Sequence, residues 1–317
     1  MPDRSLAPLR DGSIVTVGTF DGVHRGHQDV LARLVARAAE RSLPSVLVTF
    51  DPHPLEVVNP QAAPALLTVG EEKLEVIAES GVDYAIVVPF TPEFSRLSAE
   101  AFVIDVLRAR YGMKELLIGH DHGFGRGRTG DIDVLRSLGA VEGFGVDVVP
   151  PVAANDGRAV SSTFIRRAIA GGDLARAAMG LGRHYSVSGR VVPGAERGRT
   201  LGYRTLNLPS PPPRKLLPPE GVYAVRAQTH LGAFGGMMNL GGRPTFGETE
   251  RSLEVHLFDA DGDWYGRTVR IDFVARLRDT VRFAGAAALA AQLRRDEEDA
   301  RRALTASTTR PTFPSLA

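Results

Sequence analysis

Residues 17–27 read V-G-T-F-D-G-V-H-R-G-H. The run just before them, Ser13 to Val17 (SIVTV), is apolar and β-branched and reads as a buried strand. Gln28 to Arg41, just after, has helical periodicity. A glycine-rich turn therefore links strand to helix and delivers His24 and His27 to the first helical turn, where residues three apart share a face. A helix N-terminus presents unpaired N–H groups and the positive end of its dipole, which together form an anion site. Two imidazoles added there make a polyphosphate cradle, with Gly18, Phe20, Asp21, Gly22 and Gly26 as its backbone. A plain turn with solvated histidines and a metal pair are the other readings. Zinc usually takes a third protein ligand, and the i,i+4 histidine spacing with glutamate is absent.

Working outward, Ser45 to Phe50, Tyr84 to Val88, Glu115 to Ile118 and Val146 to Val149 continue a series of apolar strands with helices between. That alternation predicts an α/β fold with a doubly wound parallel sheet. Ligands of such sheets sit beyond the carboxyl ends of the strands, where both the opening motif and F-D-P-H-P (50–54) fall. The pattern changes near Tyr185. Short β-like runs at 185–192, 221–227, 236–240, 253–258 and 269–273, separated by Gly, Pro and Asp, predict a mostly antiparallel β-barrel. An amphipathic helix over 286–304 closes it. We expect one domain over 1–182, a second over 183–305, and a polar, proline-containing tail over 306–317 that is disordered.

Composition narrows the field. The 317 residues suit about two domains, and 38 basic against 37 acidic residues leave no strong field for nucleic acid or membrane. Absence of cysteine removes disulfides, thiolate nucleophiles and Cys-based metal centres. No signal-peptide core and no long apolar stretch is present, so the expectation is a cytoplasmic protein, monomeric or weakly homo-oligomeric, without nucleic-acid or membrane partners.

S-S-T-F-I-R (161–166) also precedes a helix. Alone it is an ordinary N-cap. Paired with the histidine motif, Ser162, Thr163 and Arg166 supply hydroxyls and a guanidinium suited to a triphosphate. G-R-G-R-T-G (125–130) satisfies a dinucleotide fingerprint, but Asp147 lies inside a valine-rich run rather than at the end of the second strand. A lone fingerprint is weak evidence for a nicotinamide site.

G-T-F-D-G-V-H-R-G-H with S-S-T-F-I-R downstream resembles the nucleotidyltransferase superfamily, and T-F-D-P-H-P (49–54) with I-G-H-D-H-G-F-G-R-G (118–127) resembles the bacterial FAD synthetases. G-R-T-L-G-Y-R-T-L-N (198–207), G-V-Y-A-V (221–225), N-L-G-G-R-P-T-F (239–246) and L-E-V-H-L-F-D (253–259) resemble the riboflavin kinase module. The whole is similar to the bifunctional riboflavin kinase / FMN adenylyltransferase family. For the first domain the resemblance implies FMN plus ATP giving FAD and pyrophosphate, with Asp121, His122 and Phe124 beside the flavin. FMN is largely dianionic at neutral pH, so no general base is needed there. Charge neutralisation falls to His24, His27, Ser162, Thr163 and Arg166, with Mg²⁺. Asp51 and His53 either line the nucleotide site or belong to a turn stabilised by Pro52 and Pro54.

For the second domain it implies riboflavin plus ATP giving FMN and ADP. The nucleophile is an alcohol, so a base is useful. Read alone, Glu254 is an exposed strand carboxylate; the resemblance makes it that base. Thr205 and Asn207, two apart on an extended segment, face one side. They match family positions that hold Mg²⁺ and ATP phosphates, and Asn239 and Arg243 match the flavin side. Gly194, Gly198 and Gly202 let backbone wrap phosphates.

The chain departs from the pattern at Arg204 and Leu206, where relatives carry proline and alanine, at Thr280, where Glu is common, and at His122, where an aromatic is usual. Two other readings follow. One is an adenylyltransferase with lost or altered kinase activity, and the other is a flavin- or nucleotide-binding regulator without turnover.

Overall fold

The computed structural model describes residues 9, 11–120, 123, 125, 129–153, 159–194, 203–242 and 251–307. The chain divides into two compact units, one ending at Ser162 and one beginning at Thr163.

In the first unit, the described elements run β1 (Ser13–Val17), α1 (Arg25–Arg41), β2 (Ser45–Asp51), α2 (Pro54–Val58), α3 (Gly70–Ala78) and β3 (Tyr84–Pro89). They continue with α4 (Ala99–Ala101), a π-helical stretch (Phe102–Arg108), α5 (Ala109–Tyr111), β4 (Met113–Gly119), α6 (Ile132–Glu142) and β5 (Gly145–Val149). The sheet has the order β3-β2-β1-β4-β5, and every pairing is parallel.

Alternation along the strands explains why helices cover both faces. Ile14, Leu47 and Leu117 pack with Leu31 and Leu34 of α1 and with Val76 and Ile77 of α3. Val15, Val46, Leu116 and Ile118 point to the other side, against Phe102, Val103 and Val106 of the π-helical stretch. The chain winds outward from β1 through β2 to β3, then returns to place β4 on the other side of β1. This reversal opens a crevice at the carboxyl ends of β1 and β4.

The second unit holds α7 (Ser162–Ala170) from its second residue on, α8 (Leu174–Leu181), β6 (Tyr185–Arg190), β7 (Leu206–Leu208), β8 (Gly221–Thr229), β9 (Gly232–Gly242), β10 (Arg251–Leu257), β11 (Thr268–Arg278) and α9 (Ala286–Ala306). The strands form one antiparallel sheet in the order β6-β11-β8-β9-β10-β7. It curls until its two edges meet, where Val192, just past β6, bridges Asn207 of β7 with an N–H···O bond of 2.9 Å. Tyr223 and Phe273 fill the interior edge to face, 5.3 Å apart.

The expected strands all form, and the helix expected over 286–304 runs two residues further. Strand β7 was read as an extended segment and proves to be a paired strand. Residues 308–317 of the expected tail lie outside the described residues.

Helix α9 is fastened through Asp296, which is only 1% exposed. Its carboxylate accepts two bonds from Arg278 of β11, at 2.8 and 2.6 Å, and one from Gln292 at 2.8 Å. Asp296→Ala leaves the Arg278 guanidinium without its counter-ion, and breaking such a buried pair costs about 3 kcal/mol. The expected result is an earlier urea unfolding transition for this unit, followed by fluorescence of Trp264, the chain's one tryptophan.

Candidate active sites

The turn after β1 is held in a conformation that its residues do not prefer. Phe20 has φ of 46°, Val23 has 38° and Gly22 has 80°. A β-branched valine in the left-handed region is a genuine outlier, and such outliers persist only where the surroundings over-determine them. Those surroundings are plain. The Asp21 carboxylate, 3% exposed, accepts backbone N–H bonds from Leu67 at 2.8 Å and Thr68 at 3.0 Å. The Gly22 N–H donates to Thr68 Oγ1, and Gln28 Nε2 donates to Val23 O, both at 3.0 Å. The Thr49 hydroxyl, at the end of β2, donates to Thr19 O at 3.1 Å. The Ser162 hydroxyl, at the end of the first unit, donates to Asp21 O at 3.0 Å. A side chain at Gly22 would also strike Leu67, so this glycine is required for both angle and space.

Helix α1 begins at Arg25, one residue after His24. His24 is therefore the N-cap rather than part of the first turn, and its Nδ1 accepts the His27 N–H at 3.3 Å. That bond leaves the His24 proton on Nε2. The rings stack at 3.7 Å, and Phe20 packs against His27 at 5.0 Å. The two histidines thus meet as the spacing implies. The assigned residues differ in what they offer. Gly18, Phe20, Gly22 and Gly26 shape the turn, while Asp21 spends its carboxylate on Leu67 and Thr68. Thr163 and Arg166 follow Ser162 on α7, in the second unit. Asp121, His122 and Phe124 lie outside the described residues, as do residues 126–128 of the 125–130 fingerprint. His53 caps α2 by accepting the Leu55 N–H at 3.2 Å, which gives it a local structural task.

Two features here escaped the sequence reading. Phe50, Phe90, Phe94 and Phe102 form an aromatic cluster at the carboxyl ends of β2 and β3, with centroids 5.4–6.3 Å apart. Lys73 of α3 reaches in to the end of β2 and donates to Thr49 Oγ1 at 2.7 Å. Its sequence context, E-E-K-L-E, reads as a solvated helix face, and nothing in that pattern marks the lysine as turned inward.

In the second unit, strand register does the assembling. Glu254 of β10 lies directly opposite Asn207 of β7 on one side and Asn239 of β9 on the other. Directly paired residues share a sheet face with Cβ atoms about 5 Å apart. The carboxylate and two amides, assigned separately along the chain, therefore form one polar row. Leu206 pairs with Val255 and so lies on the opposite face of the strand from Asn207; it is half-buried and lines the same cavity as Asn207, described next. Arg204 is exposed, and its carbonyl meets His256 Nδ1 at 2.7 Å. Thr280 is exposed beyond β11.

Beside the row lies a cavity of about 620 Å³ lined by Gly194, Thr205, Asn207, His256, the 259–265 loop and Arg301. Arg301 holds Asp259 through two bonds, 2.8 and 3.2 Å, and lies over the Phe258 ring at 4.4 Å. Arg301 keeps the Asp259 carboxyl below the usual carboxylate range, so the pair stays ionised at the cavity wall. Gly194 lies so close to Asn207 that a Cβ there would overlap the Asn207 amide. Gly198, Gly202 and Arg243 lie outside the described residues.

Each unit thus carries a polar site, one at the mouth of α1 and one along the strand row around Glu254. Residues 7–164 match the FAD synthetase family and residues 181–304 the riboflavin kinase family. The bifunctional riboflavin kinase/FMN adenylyltransferase of Escherichia coli K12 is 41% identical over 94% of each chain. That of Pseudomonas fluorescens is 39% identical, again over 94% of each. A solved Streptococcus pneumoniae structure described as a macrolide-efflux protein superposes with a TM-score of 0.81 at 32% identity, over 92% of this chain and 94% of that one. Among the described residues here, no helix is long and apolar enough to cross a membrane. This chain belongs to the bifunctional riboflavin kinase/FMN adenylyltransferase family. It carries both a FAD synthetase domain and a riboflavin kinase domain, and it uses ATP.

Gly194→Ala is expected to push the Asn207 amide out of the row. Riboflavin phosphorylation should fall by about 10-fold or more, the scale of a misplaced active-site group, while FAD formation from FMN continues unchanged. Separate assays of the two steps check this.

Proposed function

We propose that the second unit phosphorylates riboflavin with Glu254 as general base, and that the first then adenylylates the FMN. The row Asn207–Glu254–Asn239 carries the proposal, because it sets a carboxylate between two amides, one of which, Asn207, lines a cavity of nucleotide size. In this reading Glu254 takes the proton of the riboflavin alcohol as its oxygen attacks the γ-phosphorus, and ADP leaves with the bridging oxygen. Asn239 and Arg243 are assigned to the flavin side, and Gly194, Gly198 and Gly202 to the phosphates.

The Thr205 and Asn207 side chains suit Mg²⁺. Both offer oxygen, and Mg²⁺ is commonly held by a few protein oxygens plus substrate phosphates. Bound there, the ion supplies charge neutralisation of the triphosphate.

In the first unit, an FMN phosphate oxygen attacks the α-phosphorus and pyrophosphate leaves. FMN arrives ionised, so the protein's task is to orient two anions and to stabilise the charge on the leaving group. We assign His24, His27, Ser162, Thr163 and Arg166 to that charge, the last two from the motif alone. Gly18, Phe20, Asp21, Gly22 and Gly26 are assigned to holding the nucleotide-binding turn. We assign to the phenylalanine cluster an apolar wall near the strand ends for a flavin ring; Asp121, His122 and Phe124 are assigned to the flavin from the motif alone. We draw the functional boundary near Gly182, after α8, because S-S-T-F-I-R serves adenylyl transfer. The protein is taken to act in the cytoplasm as a monomer or weak homo-oligomer.

Product analysis tests this with riboflavin in one tube and FMN in another, each with Mg-ATP. The wild-type chain is expected to yield FAD from both. Glu254→Gln is expected to slow FMN formation by about 10²- to 10⁴-fold, the usual worth of a positioned base, and to leave FAD formation from FMN intact. Unimpaired phosphorylation by Glu254→Gln would remove Glu254 from the mechanism.

A further inference from the structure

Lys73 reaches the strand ends of the first unit, and the assignments above leave it unused. Its ammonium donates to Thr49 Oγ1 at 2.7 Å and reaches Phe50 O at 3.4 Å. Thr49 is fully buried, and its hydroxyl passes a hydrogen bond on to Thr19 O at 3.1 Å. Thr19 stands between Gly18 and Phe20, inside the strained turn. A cation on α3 is thereby linked through one buried hydroxyl to the backbone that shapes the nucleotide site.

We propose that Lys73 is a positioning residue for adenylyl transfer: through Thr49 it fixes the Gly18–Asp21 turn, and its charge offsets the carboxylates at the strand ends where a triphosphate must approach. The inference rests on the reading of this unit as the adenylyltransferase. The charged groups that face the ammonium are Asp21, from the turn after β1, and Asp51, from the end of β2; β1 itself carries no charged side chain. Two carboxylates near an incoming polyanion repel it, and one buried ammonium among them weakens that repulsion.

Packing alone gives no reason for a lysine here. Val76 and Ile77 of α3 are fully buried in the core, whereas Lys73 brings a charge that the site disfavours. Burial pushes its ammonium down to about 8, against the pull of Asp21 and Asp51. Because the folded value lies below the unfolded one, the charged form weakens folding at neutral pH. That penalty disappears as pH rises from about 8 toward 10.5, the ordinary lysine value. A group that costs stability and points at a site is expected to serve the site.

The test compares Lys73→Met and Lys73→Arg with the wild-type chain. Riboflavin phosphorylation by the second unit serves as an internal control for folding. Lys73→Met is expected to lower kcat/KM for ATP in FAD formation from FMN by about 100-fold, the scale of a misplaced constellation. Its unfolding midpoint should be equal or higher, and its kinase rate unchanged. Lys73→Arg should recover most of the loss. It should also move to higher pH the fall in kcat/KM expected of the wild type above about pH 8, where the lysine ammonium loses its proton. Wild-type FAD formation by Lys73→Met overturns the proposal. So does a lowered midpoint with no recovery by arginine, which would mark Lys73 as structural. A wild-type chain that makes no FAD from FMN overturns the underlying reading and this proposal with it.

Discussion

Strand β10 lies between β7 and β9, and its register decides what the second unit can do. Glu254 meets Asn207 on one side and Asn239 on the other, while Leu253 and Val255 enter the core. A slip of one residue would turn Glu254 inward and expose two apolar side chains, so the buried face enforces the register. The same pairing holds β7, three residues long, at the edge where Val192 closes the sheet. Closure, core and polar row are consequences of one alignment. The cavity beside the row depends on it as well, since Thr205 and Asn207 supply one wall and His256 another.

The first unit reaches a comparable result by strain rather than by register. Left-handed Phe20 and Val23 are each unfavourable, by roughly 1–3 kcal/mol. Bonds from Leu67, Thr68, Thr49, Gln28 and Ser162 converge to hold them. These partners come from four separate stretches of chain, so the turn is fixed only when the whole unit is folded. The reward is a rigid backbone at the topological switch point, with the His24–His27 stack at the mouth of α1. Anion sites built from backbone need this rigidity, because a flexible loop would lose its donors' alignment on binding.

Much of this was legible in the sequence because it depends on local pattern. Apolar runs of four to six residues marked the strands of the first sheet within a residue or two. The change of rhythm near Tyr185 marked the second sheet, where β9 begins four residues before its expected run and β11 ends five residues after. The pairing of His24 with His27 follows from a spacing of three. The row around Glu254 was legible only in pieces, since no local rule places residues 207, 239 and 254 side by side. Lys73 was invisible for a different reason. Glu71, Glu72 and Glu75 around it signal a solvated face, and only the third dimension turns the lysine toward Thr49. Leu206 shows the converse: set beside Asn207 in sequence it looks obstructive, yet strand alternation sends it to the other face. The N-cap role of His24 likewise depends on where α1 starts, a boundary that periodicity fixes poorly.

One chain performs two different transfers from ATP, of the terminal phosphoryl group and of the adenylyl group. Isotope tracing from riboflavin tests it most directly. With ATP labelled at the γ-phosphate, label should appear in FMN and persist in FAD. With ATP labelled at the α-phosphate, it should appear in FAD and be absent from FMN. FMN that stays unlabelled from the γ-position, or FAD unlabelled from the α-position, would contradict the account.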